Sequence, residues 1–249
     1  MTLSIVVPVH NEAANVEPLI EEIAQVLAGA GLAAEMVFVD DGSQDQTLRE
    51  LEQLQARFSS LRVIRHRVCC GQSTALHTGI RLARGDIIAT LDGDGQNDPA
   101  DIPRLVEHWK QQAAAGQDVL VAGFRKHRQD TGWRRFSSRF ANAIRGFLLK
   151  DQTPDSGCGL KVFSRTLFLA MPCFDHMHRF LPALARRAGA DILSVEVNHR
   201  PRVYGHSKYG TWQRLWVGIW DLLGVFWLQH RAHRPEVSEL QSQSTMRKP

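Results

Sequence analysis

Short apolar runs alternate with longer amphipathic stretches through the first half of the chain. The apolar runs are rich in Val, Ile and Leu and end at polar turn residues, which is typical of buried strands. Strands are predicted at residues 3–9, 36–40, 61–66, 86–91 and 119–123. Amphipathic helices are predicted between them, near residues 12–28, 45–58, 72–83 and 99–115. This alternation predicts an α/β domain with a mostly parallel sheet and helices on both faces.

Three polar segments follow three of the predicted strands. They read VPVHNE, VDDGSQDQT and LDGDGQ, and each begins in the last residues of its strand. Open parallel sheets bind ligands at the carboxyl ends of their strands, so these segments are expected to meet at one edge. The chain contains neither G-x-G-x-x-G nor G-x-x-x-x-G-K-[ST]. A nucleotide at this edge would therefore be bound in another way than by a dinucleotide fingerprint or a P-loop.

The third segment brings Asp92 and Asp94 to the mouth of a buried strand. Carboxylates clustered there repel each other unless a cation lies between them. A divalent ion, Mg²⁺ or Mn²⁺, that also binds a nucleotide diphosphate would offset this repulsion. The alternative is a solvated turn before the next helix, where Asp98 and Pro99 form the cap. This motif alone leaves both interpretations open.

The second segment also has two interpretations. Ser43 or Asp45 would cap the following helix, and Gly42 would make the turn. That account leaves two successive aspartates at a strand end unexplained. One of them would suit the imide N–H of a uracil or guanine ring.

Composition and charge limit the classes of function that are expected for this chain. The 249 residues are 43% hydrophobic and 22% charged, as in an ordinary globular domain, and the formal charge of +4 favours an anionic partner. Four cysteines without a C-x-x-C motif predict unpaired thiols in a reducing compartment. The N-terminus lacks the basic region of a signal peptide, and no uncharged apolar stretch reaches the length of a membrane span. We therefore expect the protein on the cytoplasmic face of any membrane that it contacts.

Two later segments carry the composition of membrane-interface helices. A basic amphipathic helix is predicted at about residues 132–150, where Arg145 is counted on the polar side; its alternative is a solvated basic face. Residues 211–234 hold four of the six tryptophans and predict a helix that lies in the interface or packs on a partner or a second copy. The tail at residues 235–249 is expected to be disordered.

The three loops together resemble family 2 glycosyltransferases of the GT-A fold, which carry P-x-x-N-E, V-D-D-G-S-x-D-x-T and D-x-D in this order. The stretches GQSTALHTGIRLARGDIIATLDGDGQNDPADIP, DSGCGLKVFSR and RPRVYGHSKYG are similar to the polyprenyl-phosphate glycosyltransferases, the group that includes dolichol-phosphate mannose synthase. The resemblance covers about residues 3–210. It implies a GT-A catalytic domain over residues 1–210, with membrane association and a metal-dependent transferase activity.

The resemblance also implies a role for individual residues. The nucleotide-binding residues would be Pro8, His10, Glu12, Val39, Asp41 and Asp92. The metal, Mg²⁺ or Mn²⁺, would be held by Asp92, Asp94 and Gln96. The acceptor phosphate and the donor diphosphate would be bound by Arg125, Arg134, Ser138, Arg202, Ser207 and Lys208. The catalytic residues would be Asp94, Arg125 and Asp155. One departure is His10, where the group often carries tyrosine.

A phosphate acceptor fits this set of residues on chemical grounds. A hydroxyl acceptor needs a general base, whereas a phosphate monoester has a second pKa near about 6 and arrives largely ionised. Such a site needs cations that hold the phosphate in line, and arginine forks supply them. Asp155 would orient the acceptor or act as a base, although a plain turn residue is the alternative.

The sequence thus predicts an inverting transferase that moves one sugar from a UDP- or GDP-sugar to a polyprenyl phosphate such as undecaprenyl phosphate. Its product would donate the sugar in cell-envelope glycan or lipid modification. Two alternatives stay open: transfer to a sugar hydroxyl in polysaccharide synthesis, and a non-catalytic nucleotide-sugar-binding membrane protein. Nucleic acid is not expected as a partner, because the basic residues interleave with apolar faces. A homo-oligomer or a membrane-protein partner stays open.

Overall fold

The computed structural model describes residues 2–126, 145–146, 148–151, 153–201 and 211–231, with the backbone alone over residues 211–216. Most of the predicted basic helix and the whole predicted tail lie outside these residues. The same holds for five predicted phosphate-binding residues: Arg134, Ser138, Arg202, Ser207 and Lys208. The predicted domain boundaries stay predictions.

Seven strands and seven α-helices make up the described part of the chain. The strands are Leu3–Val9 (β1), Ala34–Asp41 (β2), Leu61–His66 (β3), Ile87–Thr90 (β4), Val119–Phe124 (β5), Lys161–Ser164 (β6) and Asp191–Glu196 (β7). The helices are Ala13–Gly29 (α1), Thr47–Arg57 (α2), Gln72–Leu82 (α3), Ile102–Ala114 (α4), Arg165–Leu169 (α5), Leu181–Ala188 (α6) and Thr211–His230 (α7). Short 3₁₀ turns lie at Pro99–Asp101 and Met177–Arg179.

The strands form one sheet in the order β3-β2-β1-β4-β6-β5-β7. Strand β6 runs antiparallel to both of its neighbours, and every other pairing is parallel. The amino end of β6 therefore lies at the same edge as the carboxyl ends of β1, β2 and β4. The predicted mostly parallel α/β sheet is confirmed, whereas β6 and β7 were not predicted.

Helices cover both faces of this sheet. One core packs α1, α2 and α4 on the sheet, with Ile20, Leu51 and Trp109 as buried representatives. The other core packs α3 and α6 on the sheet, with Ile80 and Leu184 as buried representatives. Full burial of such a side chain contributes about 1.5–3 kcal/mol, so two continuous cores hold the loops at the sheet edge on a rigid base.

The Trp-rich helix α7 packs one face on the domain. Val225 is fully buried, and Leu222 and Phe226 pack on the same core as α3 and α6. The side-chain amide of Gln229 donates to the carbonyl oxygens of Leu149 and Ala183, at 3.1 and 3.3 Å. Within the described residues, no helix combines the length and the apolar character that crossing a membrane requires.

Candidate active site

The loops after β1 and β2 are held together by hydrogen bonds between them. The Asn11 N–H donates to Ser43 Oγ at 2.9 Å, and the Gln44 N–H donates to Asn11 Oδ1 at 2.7 Å. His10 Nδ1 donates to the carbonyl oxygen of Asp41 at 2.7 Å, which fixes the imidazole across the two strand ends. The sequence-predicted nucleotide residues His10 and Asp41 are therefore neighbours.

Asp45 stabilises the start of α2 from one residue before the N-cap Gln46, whereas VDDGSQDQT had been interpreted with Ser43 or Asp45 as the helix cap itself. Its carboxylate accepts the N–H of Thr47 at 2.9 Å and the Thr47 hydroxyl at 2.5 Å. Burial opposes ionisation, but these hydrogen bonds outweigh it and lower the pKa of Asp45. The other candidate cap, Ser43, serves the contact with the first loop instead. Glu12 starts α1, and its carboxylate accepts a hydrogen bond from Asn15 at 2.6 Å.

Asp41 is the last residue of β2, and its side chain accepts several hydrogen bonds. Its carboxylate accepts the N–H groups of Cys70 and Gly71 at 2.9 and 2.8 Å, and His66 Nδ1 at 2.7 Å. Burial alone would raise the pKa of Asp41, but these donors lower it. If a nucleotide base donated its N–H to Asp41, it would share this carboxylate with the hydrogen bonds that already order the loop before α3. The neighbouring Asp40 is buried, and its Oδ2 has no hydrogen-bond partner among the described residues.

Pro8 and Val39 lie inside the sheet. Both are buried in their strands, and Val39 packs in the core below α3. Neither side chain is exposed at the edge where the loops meet, and their predicted contact with a nucleotide stays a prediction.

Asp92 and Asp94 come together after β4, as expected. Asp92 is half-buried, and its Oδ1 accepts from the side-chain amide of Gln72 at 2.7 Å. The Gln96 N–H donates to Asp94 Oδ1 at 3.1 Å. Burial, and next the charge of Asp94, raise the pKa of Asp92 to about 6, although Lys161 and Arg125 oppose the shift. A partly buried carboxylate with a second carboxylate beside it suits a site for Mg²⁺ or Mn²⁺, which prefer oxygen ligands.

A glycine makes room for the Asp92 carboxylate. Gly159 lies just before β6, and a Cβ atom built on it would overlap all three carboxyl atoms of Asp92. Gly159 thus forms part of the same site as the third polar segment, although it follows that segment by more than sixty positions. Any larger residue at position 159 would displace a predicted metal ligand.

Arg125 and Asp155 form a two-point ion pair at the same edge. Arg125 Nε donates to Asp155 Oδ2 at 2.6 Å, and an Nη donates to Oδ1 at 3.0 Å. Both side chains are largely buried. Burial would lower the pKa of Arg125, but the hydrogen bonds that it donates to Asp155 raise the pKa, so the guanidinium stays charged. The geometry shows Asp155 orienting Arg125; the catalytic roles assigned to both stay predictions.

Lys161 is a buried cation that sequence reasoning missed. Only 2% of it is exposed, and its ammonium donates to the carbonyl oxygens of Ser156 and Cys158. Burial lowers the pKa of Lys161. The lysine ties down the loop that carries Asp155 and Gly159. A lone lysine in the run GLKVFS was the available signal, but β6 itself had not been recognised.

Arg145 differs from its predicted place on an exposed basic face. It is buried, its Nε lies 3.1 Å from Asp151 Oδ2, and an Nη donates to the carbonyl of Thr153 at 3.0 Å. Burial lowers the pKa of Arg145, although the charge of Asp151 opposes the shift. The Arg145 side chain therefore faces Asp151 and the Thr153 carbonyl inside the protein, and not an exposed basic face.

Comparisons with known proteins identify the family of the chain. The model of the family "Glycosyl transferase family 2" matches residues 4–170. The chain is 36% identical over 239 residues to dodecaprenyl-phosphate galacturonate synthase of Rhizobium johnstonii, covering 94% of this chain and 69% of that protein. It is 37% identical over 223 residues to undecaprenyl-phosphate 4-deoxy-4-formamido-L-arabinose transferase of Pseudomonas aeruginosa, covering 89% and 64%. The chain thus spans about two thirds of the length of these relatives.

Solved structures share the fold. Glucosyl-3-phosphoglycerate synthase from Mycobacterium tuberculosis with Mg²⁺ and UDP superposes with a TM-score of 0.66 at 21% identity, covering 94% of this chain and 80% of that one. The same enzyme with Mn²⁺, UDP and glucosyl-3-phosphoglycerate gives 0.62 at 24% identity, covering 94% and 81%. At these identities the similarity concerns the fold, and it agrees with the predicted GT-A architecture.

Proposed function

Because the chain belongs to glycosyl transferase family 2, we propose that it moves a single sugar from a nucleotide-diphosphate sugar to a polyprenyl phosphate such as undecaprenyl phosphate. Family membership makes the chain a glycosyltransferase, as its motifs predicted. The names of the two relatives, one a dodecaprenyl-phosphate and one an undecaprenyl-phosphate sugar transferase, support the acceptor class.

The observation that carries the proposal is the Arg125–Asp155 pair. A phosphate acceptor needs a charged group held in a fixed direction, and the two hydrogen bonds that Arg125 donates to Asp155 hold its guanidinium in that way. A hydroxyl acceptor would need a carboxylate that accepts its proton. Asp155, the predicted candidate for that task, has both oxygens engaged by Arg125. The pair therefore favours an acceptor that arrives already ionised.

The metal-binding residues in this proposal are Asp92 and Asp94, with Gln96 as the third predicted ligand. A bound Mg²⁺ or Mn²⁺ would neutralise the charge that develops on the departing nucleoside diphosphate. Within the protein, Gln72 donates a hydrogen bond to the Asp92 carboxylate, and Gly159 leaves room for it. The solved structures that share this fold include complexes with Mg²⁺ or Mn²⁺ and UDP, which supports a divalent ion here as well.

The reaction is a single displacement at the anomeric carbon. A phosphate oxygen of the acceptor forms the new C–O bond while the bond to the nucleotide diphosphate breaks on the opposite side of the sugar. The anomeric centre is inverted, so an α-linked donor gives a β-linked product. Arg125 holds the acceptor phosphate in line, and no proton has to be removed from it.

The protein would work at the cytoplasmic face of a membrane. Helix α7 turns its Trp220 and Trp227 outward, with 71% and 57% of each residue exposed, while the opposite face is buried. Tryptophan prefers the boundary between lipid and water, where the acceptor phosphate also lies. Flotation with anionic vesicles is expected for the unchanged chain and weaker for Trp220→Ser/Trp227→Ser. Equal flotation of both proteins would contradict this placement.

A donor screen tests the proposed reaction. Purified protein is incubated with Mg²⁺ or Mn²⁺, undecaprenyl phosphate and a series of UDP- and GDP-sugars, and release of nucleoside diphosphate is followed with and without the lipid. We expect lipid-dependent release from one donor and its loss in Asp94→Ala. Release that ignores the lipid, or none from any donor, would contradict the proposal.

A further inference from the structure

We propose that Asp41, His66 and Cys70 form a second metal site, which binds a thiophilic divalent cation such as Zn²⁺. A carboxylate oxygen, an imidazole nitrogen and a thiol sulfur from these residues lie within 4.8 Å of one another. The site lies at the carboxyl edge of β2 and β3, apart from the Asp92 and Asp94 carboxylates after β4.

Rigid elements hold the three residues in place. Asp41 and His66 are register partners on the neighbouring parallel strands β2 and β3. Cys70 lies in the loop before α3, and its N–H donates to Asp41 Oδ1 at 2.9 Å. A metal site on packed strands needs little reorganisation, so the cost of ordering its ligands is already met by the fold.

The donor atoms select the class of metal. Nitrogen and thiolate sulfur ligands favour Zn²⁺ and its neighbours in the first transition row, whereas Mg²⁺ and Mn²⁺ prefer oxygen ligands such as those of Asp92 and Asp94. The chain would thus bind two different ions at two sites, each selected by the ligand atoms of its site. The exposed Cys70 leaves the cluster open to solvent, and water can complete the coordination.

Binding exchanges protons for the ion. His66 Nδ1 lies 2.7 Å from Asp41 Oδ1, and the ion would take the place of the proton between them. The Cys70 thiol would also lose its proton to solvent and bind as the thiolate. His66 Nε2 lies 3.0 Å from Thr78 Oγ1 on α3, so the second ring nitrogen is already oriented by a hydrogen-bond partner. Zinc-binding histidines use such partners to fix the ring.

Occupancy of this site would affect the donor. Asp41 is expected to face the nucleotide base, so an ion that draws its carboxylate away would compete with the nucleoside diphosphate. This consequence rests on the proposed function, whereas the metal site itself does not.

Cobalt substitution tests the site on the full chain. Co²⁺ alone is titrated into metal-free protein, and the near-ultraviolet absorption that arises from thiolate-to-cobalt charge transfer is recorded. We expect one equivalent of Co²⁺ to give this band, Cys70→Ser to abolish it, and Thr78→Val to weaken affinity by about 10–100-fold. Cys173→Ser is the matched control, because Cys173 is also an exposed free thiol and lies outside the cluster.

Three results would overturn the site: no thiolate band in the unchanged protein, a band of equal strength in Cys70→Ser, or its loss in Cys173→Ser. A second titration adds UDP or GDP to the cobalt-loaded protein. Loss of the band is the expected result. A band that persists at saturating nucleoside diphosphate would overturn the competition and leave the metal site standing.

Discussion

Arg125 is clamped by Asp155 through two hydrogen bonds of 2.6 and 3.0 Å, in a largely buried pair at the edge of the sheet where three loops meet. The planar guanidinium fits a carboxylate on one side and presents its charge in one direction, which an ammonium on a flexible stem does not do. A pair of this kind suits a site that must align a phosphate.

Arg125→Lys tests the importance of that alignment. The variant keeps the positive charge and loses the fork, so the KM for the polyprenyl phosphate should rise by about 10- to 100-fold, as expected when a reactant is misplaced. The KM for the donor should change little. Arg57→Lys is the control, because Arg57 is an arginine half exposed on α2 that pairs with Glu17 and Glu21. Equal effects of the two variants would contradict the role of Arg125.

Gly159→Ala tests the fit of Asp92 against the loop before β6. The added methyl group would overlap the Asp92 carboxylate, so activity should fall by about 100-fold and the Mg²⁺ or Mn²⁺ concentration needed for half-activity should rise. Gly29→Ala is the control, because a Cβ atom there meets nothing within 4 Å. Unchanged metal dependence in Gly159→Ala would show that Asp92 is not displaced.

Lys161→Met tests the buried cation under the site. Removing the ammonium leaves the carbonyl oxygens of Ser156 and Cys158 without their donor, which should lower the free energy of unfolding by about 1–3 kcal/mol. Urea denaturation measures the change. Lys126→Met is the control, because Lys126 is exposed and its pairing with Glu196 at 3.4 Å should contribute less than about 1 kcal/mol. A loss no larger than that of the control would contradict the role of Lys161.

His178 should make the protein sensitive to mild acid. Burial, assisted by the positive charges of Arg179, Lys161 and His176, lowers its pKa to about 3. The unfolded chain then binds a proton below about pH 6.5 that the folded protein does not, so stability falls as the pH falls through this range. At pH 5 the loss relative to pH 8 should be about 2 kcal/mol for this group.

His178→Gln should remove that part of the pH dependence. The variant loses the contact between His178 Nδ1 and Ser73 Oγ at 2.8 Å and should be less stable at pH 8. The free energy of unfolding should nevertheless decline less between pH 8 and pH 5 than in the unchanged protein. His230→Gln, at an exposed position on α7, serves as the control. Parallel pH profiles for His178→Gln and the unchanged protein would contradict the account.

The sequence predicted the parallel half of the fold closely, because β1, β4 and most of β2 are buried and read as continuous apolar runs. Strands β1 and β3 have the predicted bounds, and β4 is shorter by two residues than the predicted 86–91. Strand β6 was missed because it has only four residues and begins with the charged residue Lys161. Strand β7 was missed because most of its residues are partly exposed, so it lacks the apolar run.

The candidate site was predictable where it follows strand ends in sequence. Asp92, Asp94 and Asp41 needed only the rule that ligands bind at the carboxyl edge of the sheet. Gly159 and Asp92 are far apart in the sequence, and they meet only because β6 pairs with β4. His66 meets Asp41 because β3 pairs with β2. Short-range patterns carry no signal for such contacts, so the packed structure was needed to find them.

Two lipids that differ only in the phosphate group show whether the acceptor is a lipid phosphate. Release of nucleoside diphosphate is measured with undecaprenyl phosphate and with undecaprenol, under the same donor, metal and detergent. We expect release with undecaprenyl phosphate, none above background with undecaprenol, and loss of the signal in Asp94→Ala. Equal release with the alcohol, or release that needs neither lipid, would contradict a lipid phosphate as the acceptor.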